Sequence, residues 1–210
     1  MYNLPYYKEQ DAEIVLAFMK KYAFAMLMGV DAEQQPVATQ IPFLFVEREG
    51  QLYLRGHIMK GNDHHKAFEA NKNVLAVFTG PHTYISASWY SNQKQASTWN
   101  YMSVHARGEI SFLDERELLI TLDDTTRYYE NDPFSPSLYK DLPEDYIMRL
   151  AKAIIAFEIK VTSLDHVFKL SQNRDKESFE NILDKLQNGD ADAQAVAAEM
   201  RKRKDQLFPS

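Results

Sequence analysis

Residues 81–113 read PHTYISASWYSNQKQASTWNYMSVHARGEISFL, and this stretch decides the fold. Two segments of strand-like composition, HTYISASW (82–89) and WNYMSVHARGEISFL (99–113), flank the polar segment YSNQKQAST (90–98). Aromatic and β-branched residues favour strands, and a short polar segment between two strands is typical of a connecting loop. The stretch therefore predicts two strands of an antiparallel meander.

Further strands are predicted on both sides of this meander. Residues 23–30 (AFAMLMGV) indicate a buried strand, which the polar turn DAEQQP joins in a hairpin to PVATQIPFLFVE (36–47). The second strand of this hairpin contains Pro42, which indicates an edge position or a bulge because proline cannot donate to a sheet. The remaining strands are predicted at 51–57, where apolar and polar residues alternate, at 74–80 and, as one or two strands, at 151–170.

Apolar residues at helical spacing predict the helices. They fall at 11–22, 63–71, 114–130, 143–151, 175–187 and 190–205. Asp11 is a candidate N-cap for the first helix, and Asn188-Gly189 is a stop signal between the last two. No glycine-rich loop joins a strand to a helix, so a Rossmann or P-loop fold has no support. The pattern predicts an α+β fold, a small antiparallel β-barrel with peripheral helices and a C-terminal helical pair.

The composition is that of an acidic globular protein. Of 210 residues, 45% are hydrophobic and 26% are charged, and the formal net charge is -6. Because nucleic-acid binders gain most of their affinity by neutralising phosphates, this balance argues against direct DNA binding. The absence of cysteine excludes disulfides and thiolate chemistry. We see no signal peptide and no apolar run of roughly 20 residues, so we expect a cytoplasmic protein without a membrane partner.

The first candidate site is the pair of aromatic and hydroxyl-rich segments at 80–90 and 98–105. Tryptophan and tyrosine combine an apolar body with a polar tip, which suits a ligand pocket. The two segments indicate a pocket wall or a subunit interface, and the alternative is a strand with a packed aromatic face. Ser86, Ser88 and His105 lie here, but no Gly-x-Ser-x-Gly elbow supports a hydrolase, and we predict no catalytic residue.

The second candidate is Arg55-Gly56-His57 followed by Lys60-Gly61-Asn62, where a strand ends and a helix begins. Backbone N–H groups at a helix N-terminus bind anions, so His57 and Lys60 could hold a phosphate there. The alternative is a solvated turn with Asn62 as the N-cap. Asp63, in the first helical turn, would repel an anion unless it points away.

The third candidate is Phe168–Arg174 (FKLSQNR), in which Lys169 and Arg174 add positive charge. Its alternative is an ordinary helix start capped by Ser171 or Asn173. His64 and His65 are neighbours on a helix, so their side chains point about 100° apart and do not converge on one ion. We interpret them as surface histidines and predict no metal site.

Six segments in this order resemble the PaiB family of FMN-binding negative transcriptional regulators. Four of them, GHIMKGN (56–62), GPHTYISASWY (80–90), STWNYMSVHARG (97–108) and FKLSQNR, carry most of the likeness. MYNLPYYKEQD and PVATQIPFLF also fit the pattern, so the resemblance covers nearly the whole chain. The family more often has proline where this sequence has Ala87 and Ser97.

The resemblance implies a split β-barrel, similar to pyridoxamine phosphate oxidases and flavin reductases, with FMN between the two protomers of a homodimer. It implies an FMN-binding domain over residues 1–170 and a C-terminal helical extension, 171–210, packed on that domain. The FMN phosphate would lie near His57, Lys60 and Asn62. The implied ring contacts are Thr39, Gln40 and Ile41, the partner protomer would supply Trp99, Asn100 and Tyr101, and Lys169, Ser171 and Arg174 are further candidate contacts.

The resemblance implies a regulator or flavin-linked sensor, and two other functions stay open. One is a flavin-dependent oxidoreductase that uses NAD(P)H, in which the flavin supplies the chemistry. The other is haem binding, with His57, His82, His105 or His166 as the ligand. No helix-turn-helix supports a DNA-binding role. The basic run at 201–204 is typical of a solvated helix end, where positive charge is favourable against the helix dipole.

Overall fold

The computed structural model describes residues 1–209 and divides into two compact units. Unit 1 comprises Met1–Met19, Thr79–Val104 and the chain from Asp165 onward. Unit 2 comprises Lys20–Phe78 and His105–Leu164. Each unit is built from segments that are distant in the sequence, so neither corresponds to a continuous stretch of chain. The predicted division at residue 170 stays a prediction.

Seven strands form one sheet, and the predicted α+β class with an antiparallel sheet and peripheral helices is confirmed. The strands are β1 (Phe24–Val30), β2 (Pro36–Pro42), β3 (Leu44–Arg48), β4 (Gln51–Met59), β5 (Asn73–Ile85), β6 (Thr98–Phe112) and β7 (Ile154–Lys169). Their order in the sheet is β2-β1-β5-β6-β7-β4-β3. The pairs β1–β2, β1–β5, β3–β4 and β4–β7 are antiparallel, and the predicted hairpin at 31–36 joins β1 to β2.

The single strand predicted at 36–47 is wrong. The segment forms β2 and β3, which lie at the two opposite ends of the strand order. The chain leaves β2 after Pro42, which lacks the N–H that would continue the ladder. Phe43 then donates its N–H to the carbonyl of Ala23 at 2.9 Å and buries its side chain completely. Pro42 therefore ends an edge strand, as its residue type indicates.

The central strands are longer than the sequence pattern predicts. The segments at 74–80 and 82–89 are largely one strand, β5, of 13 residues, and Ala87–Trp89 is a 3-10 turn. The segment at 151–170 forms one strand, β7, of 16 residues. Interruptions of apolar alternation at Gly80-Pro81 and at 162–165 do not end these strands, since the side-chain burial pattern changes along a long strand that stays extended.

The six predicted helices are confirmed, with ends within two residues of the prediction. They are α1 (Ala12–Lys21), α2 (Asp63–Ala70), α3 (Glu115–Glu130), α4 (Glu144–Ala151), α5 (Lys176–Gln187) and α6 (Ala191–Leu207). The side chain of Asp11 accepts the N–H of Glu13 at 2.8 Å, as expected of an N-cap. The cap predicted for α5 is wrong: Asp175 accepts the N–H of Ser178 at 2.9 Å, in place of Ser171 or Asn173.

Phenylalanine side chains fill the core of each unit. In unit 2, Phe43 packs against Phe78 and Phe157, with ring centroids 5.6 and 6.2 Å apart. In unit 1, Phe168 is 1% exposed and Phe179 is fully buried. Fully burying such a side chain contributes roughly 1.5–3 kcal/mol, so these rings hold the strand and helix ends that carry the polar residues described next.

Candidate functional site

The first candidate site is the turn from β4 to α2 in unit 2, residues 57–63, called the Lys60 turn. It follows Gly56, whose missing side chain lets the Phe157 ring approach: a Cβ here would lie 2.9 Å from Phe157 Cζ and 3.2 Å from the Pro42 carbonyl oxygen. The end of β2 is therefore close to β4. At the turn itself Gly61 has a φ of +79°, in the left-handed region that favours glycine.

Four backbone donors at the turn and the start of α2 are occupied by the chain itself, namely the N–H groups of Lys60, Gly61, His64 and His65. Asn62 Oδ1 accepts the N–H of His65 at 2.9 Å, and Asp63 Oδ1 accepts the N–H of His64 at 2.8 Å. The Lys60 N–H reaches the Ala153 carbonyl at 2.8 Å. The alternative interpretation of Asn62, a helix N-cap, is thus what the structure shows. An anion here would depend mainly on the exposed Lys60 ammonium, which forms no ion pair within residues 1–209.

Two ionisable neighbours set the charge of the Lys60 turn. Burial lowers the pKa of His57 below its ordinary value, so the imidazole is neutral at physiological pH and offers a hydrogen bond without a charge. The N–H of His64 lowers the pKa of Asp63, which therefore stays ionised. Lys60 and Asp63 bring one charge of each sign to the turn.

The interpretation of His65 as a surface residue is wrong. Its side chain is buried, and its ring lies 4.8 Å from the Phe112 ring. His65 Nδ1 accepts the N–H of Gly61 at 3.2 Å, so His65 fixes the turn from inside. His64 is partly exposed, with Nε2 2.8 Å from Asn62 Nδ2. Within residues 1–209, no three histidine, aspartate or glutamate side chains are placed to hold a metal ion.

The predicted ring contacts Thr39, Gln40 and Ile41 lie on the edge strand β2, where they pair with Leu27, Met26 and Ala25. Side chains alternate along a strand, so Gln40 faces away from Thr39 and Ile41. Gln40 is exposed, Thr39 is partly exposed and Ile41 is buried. In unit 2 the end of β2, which carries these three residues, lies close to Gly56 of β4 and so to the strand that leads into the Lys60 turn, although β2 and β4 are not adjacent in the sheet.

An exposed aromatic surface lies in unit 1, at β5 and β6. The Trp99 ring centroid is 6.1 Å from that of His82 and 5.9 Å from that of Tyr84. Trp99 and Tyr84 are 52% and 49% exposed. Tyr101 is partly exposed, while Asn100 is fully buried. Of the residues predicted to face a partner protomer, Trp99 is the one whose side chain is largely available.

Unit 1 also contains a small cavity of about 170 Å³, called the Lys169 cavity. One wall comes from the N-terminal segment and the others from β6 and from the chain that follows β7. The lining residues include Tyr2, Leu4, Tyr7, Thr98, Asn100, Lys169, Ser171 and Arg174. The structure thus brings Asn100, Lys169, Ser171 and Arg174, which the sequence analysis predicts as site residues, to one place.

Hydrogen bonds and aromatic contacts fix the residues of this cavity. Lys169 Nζ donates to Thr98 Oγ1 at 2.5 Å and to the Trp99 carbonyl at 2.6 Å. Asn100 Nδ2 lies 2.9 Å from Ser171 Oγ. The Arg174 guanidinium stacks on the Tyr90 ring, 4.0 Å from its centroid. Burial, and then repulsion from Arg174, lowers the pKa of Lys169.

Sequence reasoning missed Tyr7 as a site residue. Its side chain is buried, its ring centroid lies 5.9 Å from Lys169 Nζ, and burial, with Tyr6 nearby, raises its pKa to about 12. The signal was present, since the first seven residues contain three tyrosines, but nothing local shows where that segment packs.

Two other patterns considered in the sequence have structural partners. Ser86 and Ser88 bond to each other, with their Oγ atoms 2.8 Å apart. In the C-terminal basic run, Lys202 and Arg203 pair with Glu199, and Lys204 pairs with Glu180. The charge of that run is therefore largely balanced within unit 1. No helix among the described residues is long and apolar enough to cross a membrane.

Comparison with known proteins identifies the class. Residues 1–163 match the family model described as "Putative FMN-binding domain". Over 188 residues, the chain is 36% identical to the protease synthase and sporulation protein PAI 2 of Bacillus subtilis, and the match covers 90% of each chain. This is a split-barrel protein of a flavin-binding class. The chain belongs to the PaiB family, and the predicted resemblance is confirmed.

Solved structures share the fold at low identity. The conserved hypothetical protein Rv2991 of Mycobacterium tuberculosis superposes with a TM-score of 0.57 at 12% identity, covering 80% of this chain and 91% of that one. The FAD and heme binding protein of Mycobacterium smegmatis gives 0.54 at 16% identity, covering 77% and 72%. At such identities the likeness supports the split-barrel fold alone.

Proposed function

We propose that the protein binds FMN as a homodimer in the cytoplasm and acts as a negative transcriptional regulator or flavin-linked sensor. The observation that carries FMN binding is the family match over residues 1–163, together with the exposed, unpaired Lys60 beside the open turn at Gly61. The name of the Bacillus subtilis relative, which refers to protease synthesis and sporulation, supports the regulatory role.

The residues of the Lys60 turn fit a phosphate monoester in part. Lys60 supplies the positive charge, neutral His57 supplies a hydrogen bond, and a Cβ on Gly61 would meet no atom within 4 Å, so a ligand has room there. Asp63 opposes the anion and keeps the attraction moderate. When bound, the flavin would supply electron and hydride transfer, while the edge strand at Thr39, Gln40 and Ile41 would run beside the ring.

The homodimer accounts for the exposed aromatic surface at Trp99. Monomeric proteins rarely expose contiguous apolar patches, and tryptophan and tyrosine are enriched at interfaces. We assign Trp99, with Tyr101 beside it, to contacts with the partner protomer's flavin. Asn100 would support this strand from the inside, through its bond to Ser171.

The test of this proposal begins with the purified full-length chain. We expect a yellow protein that elutes as a dimer with one FMN per protomer, measured by absorbance and light scattering. A colourless protein that fails to quench the fluorescence of added FMN would contradict it. Trp99→Ala should shift the dimer toward monomer, and Tyr128→Ala, which removes an exposed aromatic ring from unit 2, serves as the control.

Two assays on the FMN-loaded protein separate regulator from oxidoreductase. A gel shift on upstream DNA at near-physiological salt tests the first function, because salt controls non-specific binding. Oxidation of NAD(P)H with simple acceptors tests the second. A shift without turnover would support the regulator, and turnover without a shift would assign the protein to the oxidoreductases.

A further inference from the structure

The Lys169 cavity contains two cations, and neither has an acid partner in the part of the chain that the structure describes. Lys169 is 7% exposed, and Arg174 lines the same cavity. Within residues 1–209, neither forms an ion pair with a carboxylate. The chain has 30 acidic and 24 basic residues, so acids are not scarce. Burying an unpaired charge is costly, which makes the buried Lys169 beside the partly exposed Arg174 informative.

Both cations keep hydrogen-bond donors that no acceptor within residues 1–209 takes up. An ammonium has three donors, and Lys169 uses two of them, for Thr98 Oγ1 and the Trp99 carbonyl. A guanidinium has five donors, and Arg174 uses one, for Gln95 Oε1 at 2.5 Å. Arg174 also lies over the Tyr90 ring, with its Cζ 4.0 Å from the ring centroid, so this contact helps to position the side chain and its remaining donors.

Neutral groups beside the cations suit the same kind of ligand. The Tyr7 hydroxyl keeps its proton at physiological pH and can donate a hydrogen bond to an anion. Ser171 has a φ of +64°, in the left-handed region, which costs of order 1–3 kcal/mol and persists at functional positions. Its Oγ is fixed by the buried Asn100. Tyr2 and Leu4 provide an apolar part of the wall.

The size of the cavity limits what can enter. A volume of about 170 Å³ corresponds to roughly five or six water molecules and is below the roughly 300 Å³ at which pockets for drug-sized ligands begin. A flavin ring does not fit. A phosphate or carboxylate group with a short body does.

We propose that the Lys169 cavity binds the oxyanion of a small acid, a phosphate monoester or a carboxylate, as a ligand additional to FMN. Lys169, Ser171 and Arg174 then serve this acid in place of the FMN contacts that the family resemblance implies for them. Lys169 and Arg174 would hold the two sides of the oxyanion, and Tyr7 would donate to it. The bound anion would offset the burial of Lys169 and its repulsion from Arg174, so occupancy stabilises unit 1. The chemistry selects against cations and against neutral ligands of the same size.

The test uses the full chain loaded with FMN and the probes inorganic phosphate and acetate, with sodium chloride at matched ionic strength as the blank. We expect a saturable rise of the thermal midpoint and a calorimetric Kd for at least one probe, and the tighter of the two identifies the acid class. Lys169→Gln and Arg174→Gln should each weaken that Kd by about tenfold or more. Lys176→Gln and Arg201→Gln serve as controls, because both residues are exposed cations of unit 1. Each should change the Kd of the anion by less than about twofold.

Three results would overturn the site: no effect of either probe on the wild type beyond chloride, equal loss in the control variants, or loss of FMN affinity together with the anion in Lys169→Gln and Arg174→Gln. The last would show that the cavity holds the phosphate of FMN. If either Lys169→Gln or Arg174→Gln does not fold, as judged by circular dichroism, the other variant still tests whether the cavity binds the anion. The titration can be repeated on FMN-free protein, so failure of FMN binding leaves this test intact.

Discussion

The Lys60 turn and the Lys169 cavity each contain a lysine within two residues of a position with positive φ. They differ in how far the lysine is exposed to solvent and in which charges surround it. Lys60 lies in solvent, next to the ionised Asp63, and the nearby N–H groups of Gly61, His64 and His65 are occupied. Lys169 is buried, lies beside the partly exposed Arg174 and has no acid partner among residues 1–209. An exposed cation is already well solvated, whereas a buried one lacks compensation until a ligand arrives. The Lys60 turn therefore adds modest affinity for a large ligand, FMN. The Lys169 cavity gains stability only when an anion is bound.

The largest expected effect concerns the rings beneath the two regions. Phe68 in α2 is fully buried, and Phe168 before Lys169 is 1% exposed. Replacing either with alanine removes packing and leaves a cavity, so we expect a loss of about 3–5 kcal/mol in the free energy of unfolding, measured in urea. Phe134→Ala, at a 90% exposed position, should change it by no more than about 0.5 kcal/mol. A small loss of stability in Phe168→Ala would mean that Phe168 does not hold the Lys169 cavity in a fixed shape.

Asn100→Ala should cause the next largest loss in the free energy of unfolding. It leaves Ser171 Oγ without its partner in a buried setting, and we expect a loss of about 1–3 kcal/mol in urea unfolding. The double variant with Ser171→Ala should lose less than the sum of the single losses, because both groups belong to one pair. Additive losses would contradict the pairing.

Asn62→Ala tests the cap of the Lys60 turn. Loss of the bond to the His65 N–H should cost about 1 kcal/mol. Asn62→Asp keeps an acceptor at the same place and should retain most of that stability. If Asn62 also contacts the FMN phosphate, Asn62→Asp will weaken FMN binding by adding a negative charge while the fold stays stable. Equal FMN affinity in wild type and Asn62→Asp would limit Asn62 to capping.

The loop leading into Thr98 offers a smaller test. The Ala87 N–H donates to Ser97 Oγ at 3.0 Å, which links the two positions where the family more often has proline. Ser97→Pro alone should lose about 0.5–1.5 kcal/mol, because the Ala87 N–H loses its acceptor. Ala87→Pro removes that N–H, so the double change should cost less than the sum of the single changes. Thermal unfolding of all four proteins measures this coupling.

The smallest effect is the pH dependence at His57. Its pKa is lowered in the folded state, so below pH 6.5 the unfolded chain binds more protons and acid destabilises the fold. The contribution is present above pH 6.5 and is lost as the pH falls through the folded pKa. His57→Gln should flatten the urea stability profile in that window, and His82→Gln, at an exposed histidine, should not. An unchanged profile in His57→Gln would contradict a buried neutral imidazole.

Local signals predicted the helices well, because N-caps such as Asp11 and stops such as Asn188-Gly189 act within a few residues. They failed at Pro42, where a long-range choice of partner strand sends β2 and β3 to opposite ends of the sheet order. They also failed at His65, which is buried because Phe112, 47 positions away, packs on it.

The candidate site shows the same limit. The sequence indicates that Lys60, Lys169 and Arg174 are cations near turns. The family resemblance implies that they contact FMN. The sequence contains no local signal that Lys169 is buried, or that Tyr7 from the first turn of the chain joins it. Those facts depend on packing between segments about 160 residues apart.

The most direct test of the account is the FMN dissociation constant, from fluorescence quenching, of the wild type, Lys60→Ala, Lys66→Ala and Lys169→Gln. Lys66 is an exposed lysine of the same helix start and serves as the control. We expect Lys60→Ala to weaken FMN binding by roughly 1–3 kcal/mol, which is about 5–150-fold, and the other two variants to match the wild type. Unchanged affinity in Lys60→Ala, with a large loss in Lys169→Gln, would contradict the account and place the FMN phosphate in the Lys169 cavity.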